Sequence, residues 1–412
     1  MSIFKNNMFS VIIMQGGNYI IPLIILPHLT RVLGVSSYGI FGVVFAVSQY
    51  LILFTDFGFN LTSTKRIVEA QGNKKEVSKI FFETIYCKLI LSLISLLFIV
   101  IYGFFTKDNV LYLALLVSWI QVLGTVLLPI WYFQGIEKMS FLTIATISSK
   151  FSLLPFFLFF VKSSDDLNLA ILFQSVSMLV AGLISLALIV KNKKVEFVPV
   201  NLKSMLNTYI DSYQIYIASL AISLYTVSNP IIINIFSTHD QVGLYAGADR
   251  IKAAILGLIL VLSSVLYPRV NVLFTESREK GFSFVRKIFI FQGGTTIFLS
   301  IFVFLFSGYL VKLILGEQYI DAIIILKILS PLIALIGFSV IIGNYILLPL
   351  GYKKEYVILP VLTAIGHIIL ASILTIYFGA VGAAISIVGV ETVTVVVFVF
   401  ILYKKNLLKE LW

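Results

Sequence analysis

The chain of 412 residues has one cysteine, Cys87, and three histidines, His28, His239 and His367. A single thiol excludes an internal disulfide, a CxxC redox pair and a cysteine-based zinc site. Three histidines scattered over distant regions give a metal site little to work with, so each is read as a polar helix-end or packing residue. No metal and no other cofactor is expected. Charge is scarce as well: Asp, Glu, Lys and Arg make up 12% of the chain, about half the share usual in soluble domains. Also missing are a GxxxxGK[ST] phosphate loop, HExxH, GxSxG and paired loop carboxylates, which excludes ATP hydrolysis in cis and the common hydrolytic chemistries.

What is abundant is apolar. Hydrophobic residues make up 59% of the chain, including 35 Phe and 20 Tyr, and the mean hydropathy is +1.05. At about 20 residues per bilayer crossing, this content fills about twelve spans. Hydropathy predicts them over residues 8–28, 38–61, 79–103, 109–133, 139–161, 168–190, 206–236, 242–267, 286–310, 322–350, 356–378 and 380–403. The expected fold is an all-α integral membrane protein of 12 transmembrane helices. The stretch after Lys5 has no small-residue cleavage site and reads as a retained first span rather than a signal peptide.

A net charge of +11 could suggest nucleic acid, but in a membrane chain it argues topology first. With the N-terminus cytoplasmic, 21 of the 30 Lys and Arg fall in inner segments. The outer loops hold only Arg31, Lys107, Lys162 and Lys312, while Lys88, Lys150, Arg250, Lys252 and Lys327 fall inside spans. One missed span would invert every later loop, so the bias supports twelve spans with both termini cytoplasmic. Every outer loop is about ten residues or fewer, and the largest inner segments, around 62–78, 191–205 and 268–285, are basic connectors. A membrane enzyme such as a polysaccharide polymerase would carry its chemistry in a sizeable loop.

The halves repeat faintly. Tyr38-Gly39-Ile40-Phe41-Gly42 parallels Val242-Gly243-Leu244-Tyr245-Ala246, Lys79-Ile80-Phe81-Phe82 parallels Lys287-Ile288-Phe289-Ile290, and Gly135-Ile136-Glu137-Lys138 parallels Gly351-Tyr352-Lys353-Lys354. Six spans per half make the repeat parallel, with an axis along the membrane normal and a substrate path between the lobes. Two pseudo-symmetric six-helix lobes, 1–203 and 204–412, are therefore expected around a central cavity. Chance similarity of greasy helices is the competing reading.

The stretch Pro27-His28-Leu29-Thr30-Arg31-Val32-Leu33-Gly34, then Tyr38-Gly39, Asp56-Phe57-Gly58-Phe59 and Lys65-Arg66, resembles the opening of the polysaccharide transporter family. That family includes the Wzx-type O-antigen flippases, within the superfamily of multidrug, oligosaccharidyl-lipid and polysaccharide exporters. Val242-Gly243-Leu244-Tyr245-Ala246 with Arg250 is similar to the family's second lobe. The resemblance implies a transporter of the bacterial inner membrane. Its cargo would be an undecaprenyl-pyrophosphate-linked oligosaccharide, flipped from the cytoplasmic to the periplasmic leaflet by alternating access. Association with polysaccharide polymerase machinery would be expected, and no nucleic acid.

A charge inside a span costs about 2.5 to 3.5 kcal/mol on insertion scales and so faces a cavity or a partner. Lys88 and Lys150 lie about 15 Å from the inner ends of their spans, near mid-membrane. They join Arg31, Arg250, Lys252 and Lys327 as candidates for a cationic cavity binding the pyrophosphate, where Arg can grip two oxygens at once. Structural readings stand beside these. Asp249 and Lys252 can pair along one helix, as can Lys79 and Glu83 at the surface; Arg31 can anchor at the interface and Lys327 can snorkel. Asp56, Asp211, Asp249 and Glu391 are candidates to couple transport to an H+ or Na+ gradient, or counter-ions to the lysines. Trp131 and Tyr132 are read as packing or as sugar contacts. Gln15-Gly16-Gly17 and Gln292-Gly293-Gly294 are read as packing or hinge sites, and Pro22, Pro27 and Pro230 as helix bends.

Two rivals share the superfamily. A drug or cation antiporter fits poorly with a first span that has no Asp or Glu from Met8 to Pro27. A flippase for another polyprenyl-linked envelope precursor differs only in cargo.

Overall fold

The computed structural model describes residues 2–191 and 195–411. Lys193 and Lys194, counted above in an inner connector, lie outside the described residues, as do the side chains of Lys5, Gln15 and Lys353. The described residues form helices only, mostly α with short 3-10 and π turns. Loops begin helices where the sequence supplies a cap: Asn73 accepts from the Glu76 amide (3.1 Å), Asp108 from Leu111 (3.0 Å) and Ser277 from Lys280 (3.1 Å).

Nine described helical segments are long and apolar enough to cross a membrane, and Leu202–Thr226 with Asn229–Phe236 makes a tenth if taken as one span. Two of the nine, Ile20–Glu69 and Lys354–Lys404, run to 50 and 51 residues. At 1.5 Å per residue each is about 75 Å long, more than twice the ~30 Å of hydrocarbon. Each contains a glycine outside helical geometry, Gly34 (φ 73, ψ 176) and Gly379 (φ 57, ψ −134). Positive φ at these points is open to glycine and strained for residues with a Cβ. Both breaks fall where hydropathy places an outer loop. The Gly34 carbonyl accepts from the Tyr319 hydroxyl at 3.2 Å, and the Gln241 side chain accepts from the Ala380 amide at 2.9 Å.

Phe104, Phe105, Phe298, Leu305 and Tyr377 are all exposed. Such apolar surface suits hydrocarbon, where every backbone polar group must be satisfied within the helices. The described chain forms two compact units: Met1–Ile21 with Ile40–Ser223, and Pro22–Gly39 with Leu224–Trp412. In the first, Ile67, Ile80, Phe81, Trp131, Tyr132, Phe133 and Leu142 pack into one core, and Phe59, Cys87, Leu91 and Met205 into another. In the second, Val270, Val285, Ile341, Tyr345, Leu347 and Leu402 form a core.

Candidate functional site

In the first unit, Asp56 ends a helix just before the turn at Phe57-Gly58, and Lys88 lies mid-helix in Lys74–Phe105. The Lys88 ammonium is 2.5 Å from Asp56 Oδ1 and donates to the Thr125 carbonyl at 3.1 Å. It also sits 4.7 Å from the centroid of the Trp131 ring. An ammonium has three N–H groups, and a carboxylate, a carbonyl and an aromatic face occupy them. Asn60 donates to the other Asp56 oxygen at 3.0 Å. Lys88 is 1% exposed, so the pair is a buried strut with its charge neutralised in place. Trp131 and Tyr132, considered above for sugar, are both inside the core.

A second buried pair is one that spacing along a single helix could not reveal. The helix Phe59–Glu69 returns beside Lys74–Phe105, and Arg66 Nη2 reaches Glu83 Oε2 at 2.6 Å while Nη1 donates to Thr208 at 3.0 Å. Glu83 is 0% exposed, so the expected surface pair with Lys79 is corrected: Lys79 stands 4.0 Å off and Arg66 is the principal partner. Lys150 is half-buried in Met139–Phe160, and Asp211 is exposed on Leu202–Thr226.

In the second unit, the family-like motif of the first span is an anchor. Arg31 donates to the Leu313 carbonyl at 2.6 Å, and Gln318 donates to the Thr30 carbonyl at 2.7 Å. Tyr38 meets the edge of Tyr319 with centroids 6.2 Å apart, and the Arg250 guanidinium bonds the Tyr38 hydroxyl. The matched stretches of the repeat touch each other directly. A Cβ on Gly39 would lie 1.9 Å from the His239 carbonyl oxygen, and one on Gly243 would lie 2.0 Å from that of Val35. Each glycine meets the carbonyl four residues before the other, the reciprocity a local two-fold relation produces.

Because Arg31 is exposed and its described bond is to one carbonyl, Arg31→Ala is expected to lower stability by only about 1 kcal/mol. The thermal aggregation midpoint of the purified chain measures this. Loss of transport at normal protein level would instead give Arg31 a direct part in cargo handling.

The same unit brings three other candidates together. Asp249 and Lys252 form the expected pair along one helix. Glu391, 4% exposed, accepts from the Ser339 hydroxyl at 2.6 Å, and the Lys252 charge acts on it. Lys327 stands 5.9 Å from the Phe304 ring. Gln292-Gly293 lies in a π turn, with Gln292 buried. Sequence reasoning passed over one buried cluster: His367 Nε2 is 3.0 Å from Asn229 Oδ1, and Asn229 Nδ2 donates to the Tyr245 hydroxyl at 2.6 Å. Its only signal was a polar histidine in the middle of an apolar run.

Comparison with known proteins agrees with this membrane architecture. The family described as "Polysaccharide biosynthesis protein" matches residues 4–274. A protein of Escherichia coli K12 named "Putative O-antigen transporter" is 33% identical over 408 residues, 98% of each chain. One of the same name from Shigella dysenteriae is 29% identical, over 95% of this chain and 98% of that one. Among solved structures, the lipid II flippase MurJ in an inward closed conformation superposes with a TM-score of 0.76 at 13% identity. That match covers 98% of this chain and 89% of MurJ. An inward-facing multidrug resistance MATE family transporter gives 0.73 at 14% identity, covering 97% and 99%. At such identities the solved structures speak to the fold, which is that of membrane transporters. With its described residues all helical and at least nine described helices apolar and long enough to span, the chain, matched over most of its length by these relatives, belongs to the polysaccharide biosynthesis protein family, in its Wzx-type transporter branch.

Proposed function

We propose that this chain flips a polyprenyl-linked oligosaccharide, with undecaprenyl pyrophosphate as the carrier, from the cytoplasmic to the periplasmic leaflet of the bacterial inner membrane. The observation that carries the reading is end-to-end similarity to relatives named as O-antigen transporters. In this reading Ile20–Glu69 and Lys354–Lys404 each cross twice, turning at Gly34 and Gly379, which gives twelve spans and cytoplasmic termini. The reciprocal contact of Gly39 and Gly243 supports the parallel repeat. No bond is made or broken: the oligosaccharide and its phosphates cross through a polar path while the polyprenyl tail stays in lipid.

Arg250 is the group best suited to the pyrophosphate, because a planar guanidinium fork matches the geometry of phosphate oxygens. Lys88, saturated by Asp56, Thr125 and Trp131, acts as a strut. An H+ or Na+ gradient drives the cycle, and Glu391, buried, held by Ser339 and acted on by Lys252, is one carboxylate able to couple to it.

The test is complementation of a host lacking its own flippase. The chain is expected to restore surface polysaccharide, and without it lipid-linked units should accumulate on the cytoplasmic side. Unchanged polymer with altered resistance to cationic drugs would favour the antiporter, and restoration of a different envelope polymer would reassign the cargo.

A further inference from the structure

We propose that the coupling ion is a proton and that His367 carries it, through a hydrogen-bonded triad with Asn229 and Tyr245. The inference rests on the ion-coupled transport proposed above.

His367 is 0% exposed and is far from either end of its helix. It follows Lys353 by about 21 Å and precedes the break at Gly379 by about 18 Å, at 1.5 Å per residue. Its position is near the middle of an apolar span, where a titratable group is costly and a functional site is the default reading. In the amide orientation of this structure, the hydrogen bonds assign the ring proton to one nitrogen. Asn229 Nδ2 donates to the Tyr245 hydroxyl, which turns Oδ1 toward His367 Nε2. An amide oxygen can only accept, so Nε2 must carry the hydrogen. The neutral ring is then the Nε2–H tautomer, and Nδ1 is a bare lone pair. That atom is buried and has no hydrogen-bond partner among the described residues. A base is thus presented inside the membrane by a ring whose other nitrogen is fully committed.

Loading is a simple addition: one proton from outer water joins the Nδ1 lone pair and gives an imidazolium, and its departure to the cytoplasm restores the neutral ring. A buried cation beside no acceptor is unfavourable. The arrangement described here therefore belongs to the neutral ring, and the charged ring favours an arrangement that brings water or an acceptor to Nδ1. The Nε2–H bond to Asn229 becomes charge-assisted and strengthens. Asn229 opens the helix Asn229–Phe236, immediately after the break at Val227-Ser228. The proton is felt where the chain is already interrupted.

The neighbouring titratable groups do not neutralise the ring. Tyr245 lies one bond beyond Asn229. Asp249, on the same helix as Tyr245, is paired with Lys252. Glu391 is held by Ser339. Lys327, on the helix Ala322–Leu329, sits over Phe304.

Three histidines make the site directly observable. The purified full chain, labelled with 15N-histidine, is titrated by NMR from pH 9 to pH 3. H367Q removes the signal and assigns it, and an H28Q/H239Q chain assigns it independently should H367Q fail to accumulate. The expected signal is an Nε2–H tautomer at high pH that converts to imidazolium within this range. A ring still neutral at pH 3, or one protonated on Nδ1 while neutral, overturns the proposal. In complemented cells the rate of surface-polymer appearance is compared at external pH 6 and pH 8. The native chain is expected to run several-fold faster at pH 6 and H367Q to lose that difference at equal protein level. A difference retained in H367Q overturns the coupling role while leaving the flippase reading intact. Failure of the native chain to restore polymer sinks the flippase reading, and the titration still decides whether His367 binds a proton.

Discussion

Gly39→Val and Gly243→Val, made singly, are each expected to prevent accumulation of folded protein. Both glycines are helical, so the cause is contact rather than backbone freedom. A side chain at either point meets a carbonyl oxygen near 2 Å, and that oxygen belongs to helix backbone that cannot swing aside. Overpacking of a yielding site costs about 1–3 kcal/mol, and a rigid backbone contact costs more, enough to exhaust a marginal stability. Even Gly39→Ala and Gly243→Ala add the offending Cβ and should be strongly destabilised. Gly366→Ala and Gly389→Ala are the controls: nothing lies within 4 Å of a Cβ at either, and alanine is the better helix former by roughly 1 kcal/mol. Membrane-inserted protein level and monodispersity in detergent report the difference. Equal levels across the four sites would mean that the two stretches do not pack as described.

These two glycines also show how far the sequence could be read. Their similar sequence context in the two halves was visible, because it is written in residue order. That the two copies press against each other was not, because contact between distant segments leaves no mark in spacing. The all-helical, membrane-spanning class was legible because bilayer thickness sets the length of an apolar run from outside the protein. The candidate site was legible only where partners share a helix. Asp249 and Lys252, three residues apart, are paired in the structure, whereas Lys88 and Asp56, and Arg66 and Glu83, meet across helices. His367 was read as a polar helix-end or packing residue, and its contact with Asn229 was invisible because the two are 138 residues apart.

Asp56→Ala is expected to destabilise the chain by about 3–5 kcal/mol, the cost of stranding a buried charge. Lys88 is 1% exposed and loses its carboxylate, whereas Lys88→Met leaves Asp56, which is 22% exposed and can be hydrated in part. The milder loss is therefore expected from the lysine side. Removing both charges in Asp56→Leu/Lys88→Met should recover most of the stability, since apolar replacement of a whole buried pair is often neutral or better. Thermal aggregation of the four purified chains gives the ranking, with Asp56→Ala lowest. The double variant also separates strut from ligand group. A strut predicts surface polymer close to native, and loss of polymer at native protein level would return Lys88 to the list of cargo-binding cations.

The second unit takes one of its segments, Pro22–Gly39, from far upstream of its remainder, which begins at Leu224. During synthesis that segment enters the membrane early and waits for partners not yet made. At ~5–20 residues per second the interval is roughly 10 to 40 s. Throughout it, Gly39 faces no His239 carbonyl and Arg31 no Leu313, so an apolar helix with a cationic end stands in the nascent membrane without the surfaces it is shaped for. Biogenesis of this chain thus carries a window in which insertion machinery or lipid must shelter the Pro22–Gly39 segment until its partners are made.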